Sequence, residues 1–151
     1  MTSLSPATIL IVDDDAAIRE LIAETLSDAG YSVVQAPDGA RALDILRASA
    51  EPLVVLLDLM MPRMSGKDVL QAVAADRRLA STHAYVLITA AEHSLPLPFV
   101  HLLTVLEVPI LPKPFDLRAL LYRVEHALRR LAPREVGGFI EYDEYEYDLT
   151  S

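Results

Sequence analysis

The sequence predicts an α/β fold in which a parallel sheet is covered by helices on both faces. Short apolar runs of strand length alternate along the chain with segments whose apolar residues repeat at helical spacing. Two of the runs, Ile9 to Val12 and "PLVVLLD" at 52–58, are continuous enough to be buried on both faces. Five strands alternating with five helices then imply right-handed crossovers and a parallel order.

The elements follow in sequence. "TILIV" (8–12) is a strand, and "AAIRELIAETLSDAG" (16–30) a helix with Ile18, Leu21, Ile22, Thr25 and Leu26 on one stripe, stopped by Gly30. "YSVVQA" (31–36) is a shorter strand, and "PDGARALDILRAS" (37–49) turns into a helix that packs Ala42, Leu43, Ile45 and Leu46. After the strand 52–58 and the loop "LMMPRMSG" comes the helix "KDVLQAVAAD" (67–76), and then an irregular "RRLASTH". "AYVLITA" (84–90) is the fourth strand and "VPILP" (108–112) the fifth, with a helix from about Leu97 to Leu106 between them. "DLRALLYRVEHALRRL" (116–131) is an amphipathic last helix, with Asp116 as N-cap and Arg129 and Arg130 suiting its C-terminus.

Composition narrows the function. With 52% hydrophobic residues and five glycines, the 151-residue chain is globular and large enough for a sizeable core. It has no cysteine, hence no disulfide or thiolate chemistry. No apolar run reaches the ~20 residues of a membrane span, and the first residues lack the pattern of a signal peptide. The expectation is a cytoplasmic protein without membrane insertion. Of the net charge of −9, residues 134–151 hold −5, six acids against Arg134 alone, leaving −4 elsewhere. Neither part offers the basic face that a nucleic-acid backbone requires, so no direct nucleic-acid partner is expected.

Chemistry collects at the strand ends. The first strand runs into Asp13, Asp14 and Asp15; the third ends in Asp58, the fourth in Thr89 followed by two alanines, and the fifth in Lys113-Pro114. In an open parallel sheet, ligands bind outside the carboxyl ends of the strands. Carboxylates ~4 Å apart repel by roughly 4 kcal/mol at an effective dielectric of 20, so such a cluster needs a cation. All-oxygen ligands favour Mg²⁺. A lone carboxylate on the central strand can attack phosphorus to form an acyl phosphate, which Lys113 and the Thr89 hydroxyl would stabilise. Taken singly, each residue has an ordinary reading: helix cap or turn for the acids, strand-end hydroxyl for Thr89, solvated charge for Lys113. Asp15 keeps that reading, as the cap of the first helix. His83, His93, His101 and His126 show no metal-ligand spacing.

The combination of Asp13 and Asp14, Asp58 in "VVLLDLMMPRMSG", Thr89 in "VLITA" and Lys113 in "PKPF" resembles the receiver domain of two-component response regulators, over about residues 7 to 131. The resemblance implies a flavodoxin-like, doubly wound five-stranded sheet of order 2-1-3-4-5 with five helices. It implies Asp58 as phosphoacceptor, and Mg²⁺ held by Asp14, Asp58 and the backbone carbonyl of Met60, with Asp13 reaching it through water. It also implies Lys113 paired with the acceptor, a cis Lys113–Pro114 bond, and Thr89 as the switch hydroxyl. The implied partner is a sensor histidine kinase or a phosphotransfer protein. The domain organisation expected is a flexible N-terminus (1–6), a receiver (7–132) and an acidic, tyrosine-rich tail (133–151). The tail is too short to be a DNA-binding output domain, so a stand-alone regulator that acts through phosphorylation-dependent partner binding is expected, and no enzyme.

The sequence departs from the family in three places. Where many receivers carry an aromatic switch residue, three before the lysine, Ile110 stands here; it is smaller and stiff at χ1. The segment from Ala91 to Pro112 is rich in proline, and its helix shows an apolar surface of Phe99, Val100, Leu103 and Leu106, which reads either as packing on the sheet or as a docking face. Met60 and Ala91, two residues beyond Asp58 and Thr89, are apolar, so slow hydrolysis of the phosphoryl group is expected. The tail, with Tyr142, Tyr145 and Tyr147 among its acids, reads either as solvated chain or as a segment that docks on a basic partner or a second subunit. A homodimer through the tail, or through the face of the fourth helix, fifth strand and fifth helix, is a further expectation. Two other functions are alternatives: an Mg²⁺-dependent phosphatase with an aspartyl nucleophile, and a receiver fold kept as an interaction scaffold. The first would want a second acid where Met60 stands.

Overall fold

The computed structural model describes residues 7–131; the expectations for residues 1–6 and for the tail lie outside the described residues. Five strands, β1 (Thr8–Val12), β2 (Val33–Ala36), β3 (Leu53–Asp58), β4 (Ala84–Thr89) and β5 (Ile110–Pro112), form one sheet of order β2-β1-β3-β4-β5. Every neighbouring pair is parallel. The doubly wound order expected from the resemblance is the one observed.

The helices are α1 (Ala16–Asp28), α2 (Gly39–Ala48), α3 (Gly66–Ala74), α4 (Arg77–Thr82), α5 (Leu97–Leu106) and α6 (Leu117–Leu131). Among the described residues the expected five become six, because the irregular-looking "RRLASTH" contains the short α4. Asp76 caps it, its carboxylate accepting from the Arg78 and Leu79 N–H groups at 3.0 and 3.3 Å. Leu79 is then driven into the core, where the Tyr85 hydroxyl donates to its carbonyl at 2.9 Å. Six residues are too few for a hydrophobic period to show.

Alternation along the strands sends side chains to opposite faces. Leu10, Val12, Val55, Leu57, Tyr85 and Leu87 pack with α2, α3, α4 and α5 on one face. Ile9, Ile11, Val54, Leu56, Val86 and Ile88 pack with α1 and α6 on the other. The central strand β3 is buried along its whole length. Burying each such Leu or Val is worth ~1.5–3 kcal/mol, so the middle of the sheet is its most rigid part and its strand ends are well anchored.

Helix ends are defined as the sequence suggests. Gly30, at φ 99°, follows α1; its N–H donates to the Ser27 carbonyl at 2.9 Å and the Tyr31 N–H to the Leu26 carbonyl at 3.0 Å, the paired bonds of a left-handed helix stop. Asp116 caps α6, accepting from the Ala119 N–H at 2.8 Å. In α5, Phe99 and Leu103 enter the core while Val100 is 38% exposed, so the apolar surface is divided between packing and solvent. His83 is buried: its Nδ1 accepts from the Leu53 N–H at 3.0 Å, and its Nε2 lies 3.3 Å from the Leu46 carbonyl. It is a structural tie between α2, β3 and β4. Burial pushes its pKa down, favouring the neutral ring that this geometry needs.

Candidate functional site

Sheet register assembles the site. Val12 pairs with Leu57 and Asp58 with Ile88, so Asp13, one step beyond Val12, is level with Asp58 on the adjacent strand. Thr89 pairs with Pro112, the last residue of β5, which places Lys113 just past the end of that strand. Residues from four separate stretches of sequence therefore meet at the carboxyl edge of the sheet.

The three consecutive acids after β1 have three separate positions. Asp13 turns inward and is only 4% exposed; its Oδ1 accepts from the Asp15 N–H at 2.8 Å. Asp14 is exposed at the rim. Asp15 caps α1, accepting from the Ala17 and Ile18 N–H groups at 3.0 and 3.2 Å. Arg19, which sequence reasoning did not single out, braces this turn: Nη1 donates to the Asp13 carbonyl at 2.7 Å and Nε to Gln35 Oε1 at 3.0 Å.

Asp58 is 5% exposed, and Lys113 Nζ lies 3.1 Å from its Oδ1. Ligand oxygens of Asp13, Asp14 and Asp58 all lie within 4.8 Å of one another. Burial, more than any other cause, raises the pKa of both Asp13 and Asp58; the Asp13 charge raises that of Asp58 further, Asp14 adds to both, and Lys113 opposes the rise, joined at Asp13 by the hydrogen bond from the Asp15 N–H. Two buried carboxylates and a third at the rim, with one ammonium beside them, fit a hard divalent cation.

Thr89 is buried, and Lys113 N–H donates to its carbonyl at 2.9 Å. The Thr89 hydroxyl accepts from the Ala91 N–H at 2.9 Å and makes no hydrogen bond to Asp58. Its own proton is therefore available to an oxygen arriving beside Asp58. The Lys113–Pro114 peptide is cis. Met60 is exposed in the loop after β3, and Ile110 is half-buried in β5 opposite Leu87.

A second residue missed in the sequence is Gly66, the first residue of α3. Its N–H donates to the Leu59 carbonyl at 2.9 Å, and a Cβ there would sit 2.6 Å from the Asp58 carbonyl oxygen and 2.9 Å from Leu59 Cα. The acceptor loop folds back so closely that only glycine fits. Its one sequence signal is a glycine ending the loop "LMMPRMSG".

Comparison with known proteins gives the family. The model of the response regulator receiver domain matches residues 9–125. Response regulator MprA of Mycolicibacterium vanbaalenii is 42% identical over 135 residues, 88% of this chain and 55% of that protein. MprA of Mycobacterium bovis is 41% identical over 131 residues, 85% of this chain and 54% of that one. The chain thus spans about half the length of the curated relatives it matches, and the absence of an output domain stays an expectation. Among solved structures, a CheY-like receiver domain protein from Methanospirillum hungatei superposes with a TM-score of 0.72 at 32% identity, covering 83% of this chain and 96% of the other. Chemotaxis protein CheY4 of Vibrio cholerae gives 0.68 at 29%, covering 82% and 99%. With the family model matched over most of its length and the acidic strand-end site in place, this chain belongs to the response regulator receiver domains.

Proposed function

We propose that Asp58 accepts a phosphoryl group from a sensor histidine kinase or a phosphotransfer protein, and that the modified protein signals by changing its affinity for a protein partner. The observation that carries this reading is Lys113 Nζ at 3.1 Å from the Asp58 carboxylate, inside a cluster of three acids. An Asp58 oxygen attacks phosphorus and forms an O–P bond; the P–N bond to the donor imidazole breaks, and the electron pair leaves with that nitrogen. Asp14, Asp58 and the Met60 carbonyl are the proposed holders of Mg²⁺, with Asp13 beside them. Bound there, Mg²⁺ supplies positive charge against the phosphoryl oxygens. Lys113 holds Asp58 in place beforehand and pairs with the phosphoryl group afterwards.

Thr89 donates its free proton to a phosphoryl oxygen, and Ala90 and Ala91 leave room for the group to enter. The conformation in which Thr89 reaches that oxygen is favoured by phosphorylation, a shift of population that partner binding reinforces. Ile110, smaller than an aromatic ring, follows through the backbone of β5. An apolar cleft of about 510 Å³ next to Lys113, between α1 and the start of α6, offers exposed Leu21 and Leu117 to a protein donor. The setting proposed is cytoplasmic; among the described residues no helix is long and apolar enough to cross a membrane.

The test is intact-mass measurement after incubation with acetyl phosphate. The chain should gain the mass of one phosphoryl group with Mg²⁺, and fail to gain it with EDTA or as Asp58→Asn. Equal labelling of Asp58→Asn would refute the assignment.

A further inference from the structure

The charge of this chain is divided along its last third. Helix α6 carries Arg118, Arg123, Arg129 and Arg130 against Glu125, a net +3, whereas residues 1–116 sum to −7 and residues 134–151 to −5. The basic helix forms one wall of a groove of about 580 Å³, lined by Val100, Val108, Pro109, Ile110, Arg123 and Arg130. Glu107, at the end of α5, also lines the groove, but Arg130 balances it, with Nη2 at 2.8 Å from its carboxylate and Nη1 at 2.6 Å from its carbonyl. Arg123 sits 5.8 Å over the Tyr122 ring, which also stacks on His126, and has no carboxylate partner among the described residues. The groove is an apolar floor with one uncompensated guanidinium.

We propose that residues 139–149 of this same chain, "FIEYDEYEYDL", occupy the groove, with aromatic rings on Val100, Pro109 and Ile110 and carboxylates near Arg123. The chemistry matches on both counts. Tyrosine lays an apolar ring on an apolar surface and keeps its hydroxyl wet, and the alternating acids supply the charge that Arg123 lacks. The position matches as well. The described chain ends at Leu131, one residue past groove-lining Arg130, and the intervening residues can extend ~3.4 Å each, enough to reach back. A tether this short gives an effective concentration of order millimolar, so weak contacts suffice. A tail seated there would cover the side of the sheet that contains Ile110, and an external partner would have to displace it.

The absence of cysteine makes the test direct. A nitroxide is attached to the full-length chain at Tyr145→Cys, and amide signals are compared before and after reduction of the label. The amides of Val100, Ile110 and Arg123 should lose about two-fold or more in intensity, an effect removed by Arg123→Glu and by ~0.5 M salt, where the Debye length falls to ~4–5 Å. Undiminished signals in the groove, or broadening that Arg123→Glu leaves unchanged, would overturn the proposal. So would broadening seen when isotope-labelled chains without nitroxide are mixed with nitroxide-bearing ones, which would put a second copy in the groove. Asp58→Asn should broaden as the parent does, so failure of phosphotransfer and failure of tail docking are told apart.

Discussion

Neutralising Asp13 should stabilise the metal-free protein, although it removes a buried group with a good hydrogen bond. Ligand oxygens of Asp13, Asp14 and Asp58 lie within 4.8 Å of one another, and two charges at about 5 Å repel by roughly 3 kcal/mol at an effective dielectric of 20. Lys113 attracts both buried carboxylates and offsets part of this, while Asp14 is solvated and contributes less. Asn at position 13 keeps an acceptor for the Asp15 N–H and loses the charge. A net gain of about 1–2 kcal/mol in EDTA at pH 7.5 is expected, or a Tm about 2–8 °C higher for a chain of this size. The pH dependence fixes the sign. Asp13 and Asp58 have raised pKa values in the folded state, so the folded protein binds more protons, and its stability falls as pH rises from 3.8 through those raised values. The advantage of Asp13→Asn should therefore shrink as pH is lowered toward 3.8. Saturating Mg²⁺ should stabilise the parent by about 2.7 kcal/mol at a hundred times its Kd, and the variant by less. Urea unfolding at two pH values, with and without Mg²⁺, measures all three effects. A variant less stable than the parent in EDTA at pH 7.5 would refute the charge argument.

Three further outcomes follow from the same geometry. Gly66→Ala forces a Cβ to 2.6 Å from the Asp58 carbonyl oxygen, a backbone atom that no rotamer change can move away; the loss should be about 1–3 kcal/mol in urea unfolding, with slower phosphorylation because the displaced segment carries Asp58. The buried His83 has a lowered pKa, so its neutral ring contributes fully above the ordinary 6.5, and stability is lost as pH falls from 6.5 toward the folded value; His83→Gln should flatten the stability profile between pH 7 and 5. With Met60 and Ala91 apolar, no side chain at those positions orients water, and the phosphoryl group on Asp58 should persist for minutes or longer; a half-life of seconds by acid quench would contradict this.

What could be read in the sequence was set by periodicity and punctuation. The strands showed because aliphatic runs stop abruptly at acids, a hydroxyl and a lysine, and a parallel sheet has to place those stops on one edge. What could not be read depended on three-dimensional proximity. Helix α4 has only six residues and follows α3 after a two-residue break, so it shows no period of its own. Helix α5 is apolar nearly all round; its sequence alone could not say that Phe99 and Leu103 enter the core while Leu97 and Val105 face solvent. The tight approach of Gly66 to Asp58 is between backbones and leaves only a glycine in the sequence. Arg19 reads as one of several surface arginines until the turn after β1 brings the Asp13 carbonyl to its guanidinium.

The run Asp13-Asp14-Asp15 shows why identical residues need not share a role. Side-chain direction at the end of a strand alternates, so adjacent acids cannot all enter one pocket. Asp13 goes in and loses water; Asp14 stays at the rim with its solvation; Asp15 has the extended backbone of a helix cap and spends its oxygen on two N–H groups of α1. The cap fixes where α1 begins, and its N–H in turn holds Asp13. The residue whose carboxylate stays outside the cluster thereby orients the one that is buried in it. Repulsion among Asp13, Asp14 and Asp58 is tolerated because it is local, at the edge of a sheet whose centre is fully packed. A core packed that fully can keep carboxylates close enough to repel, and in the proposed function it is this negative charge, with Lys113 at 3.1 Å, that would draw first a cation and then an anionic group.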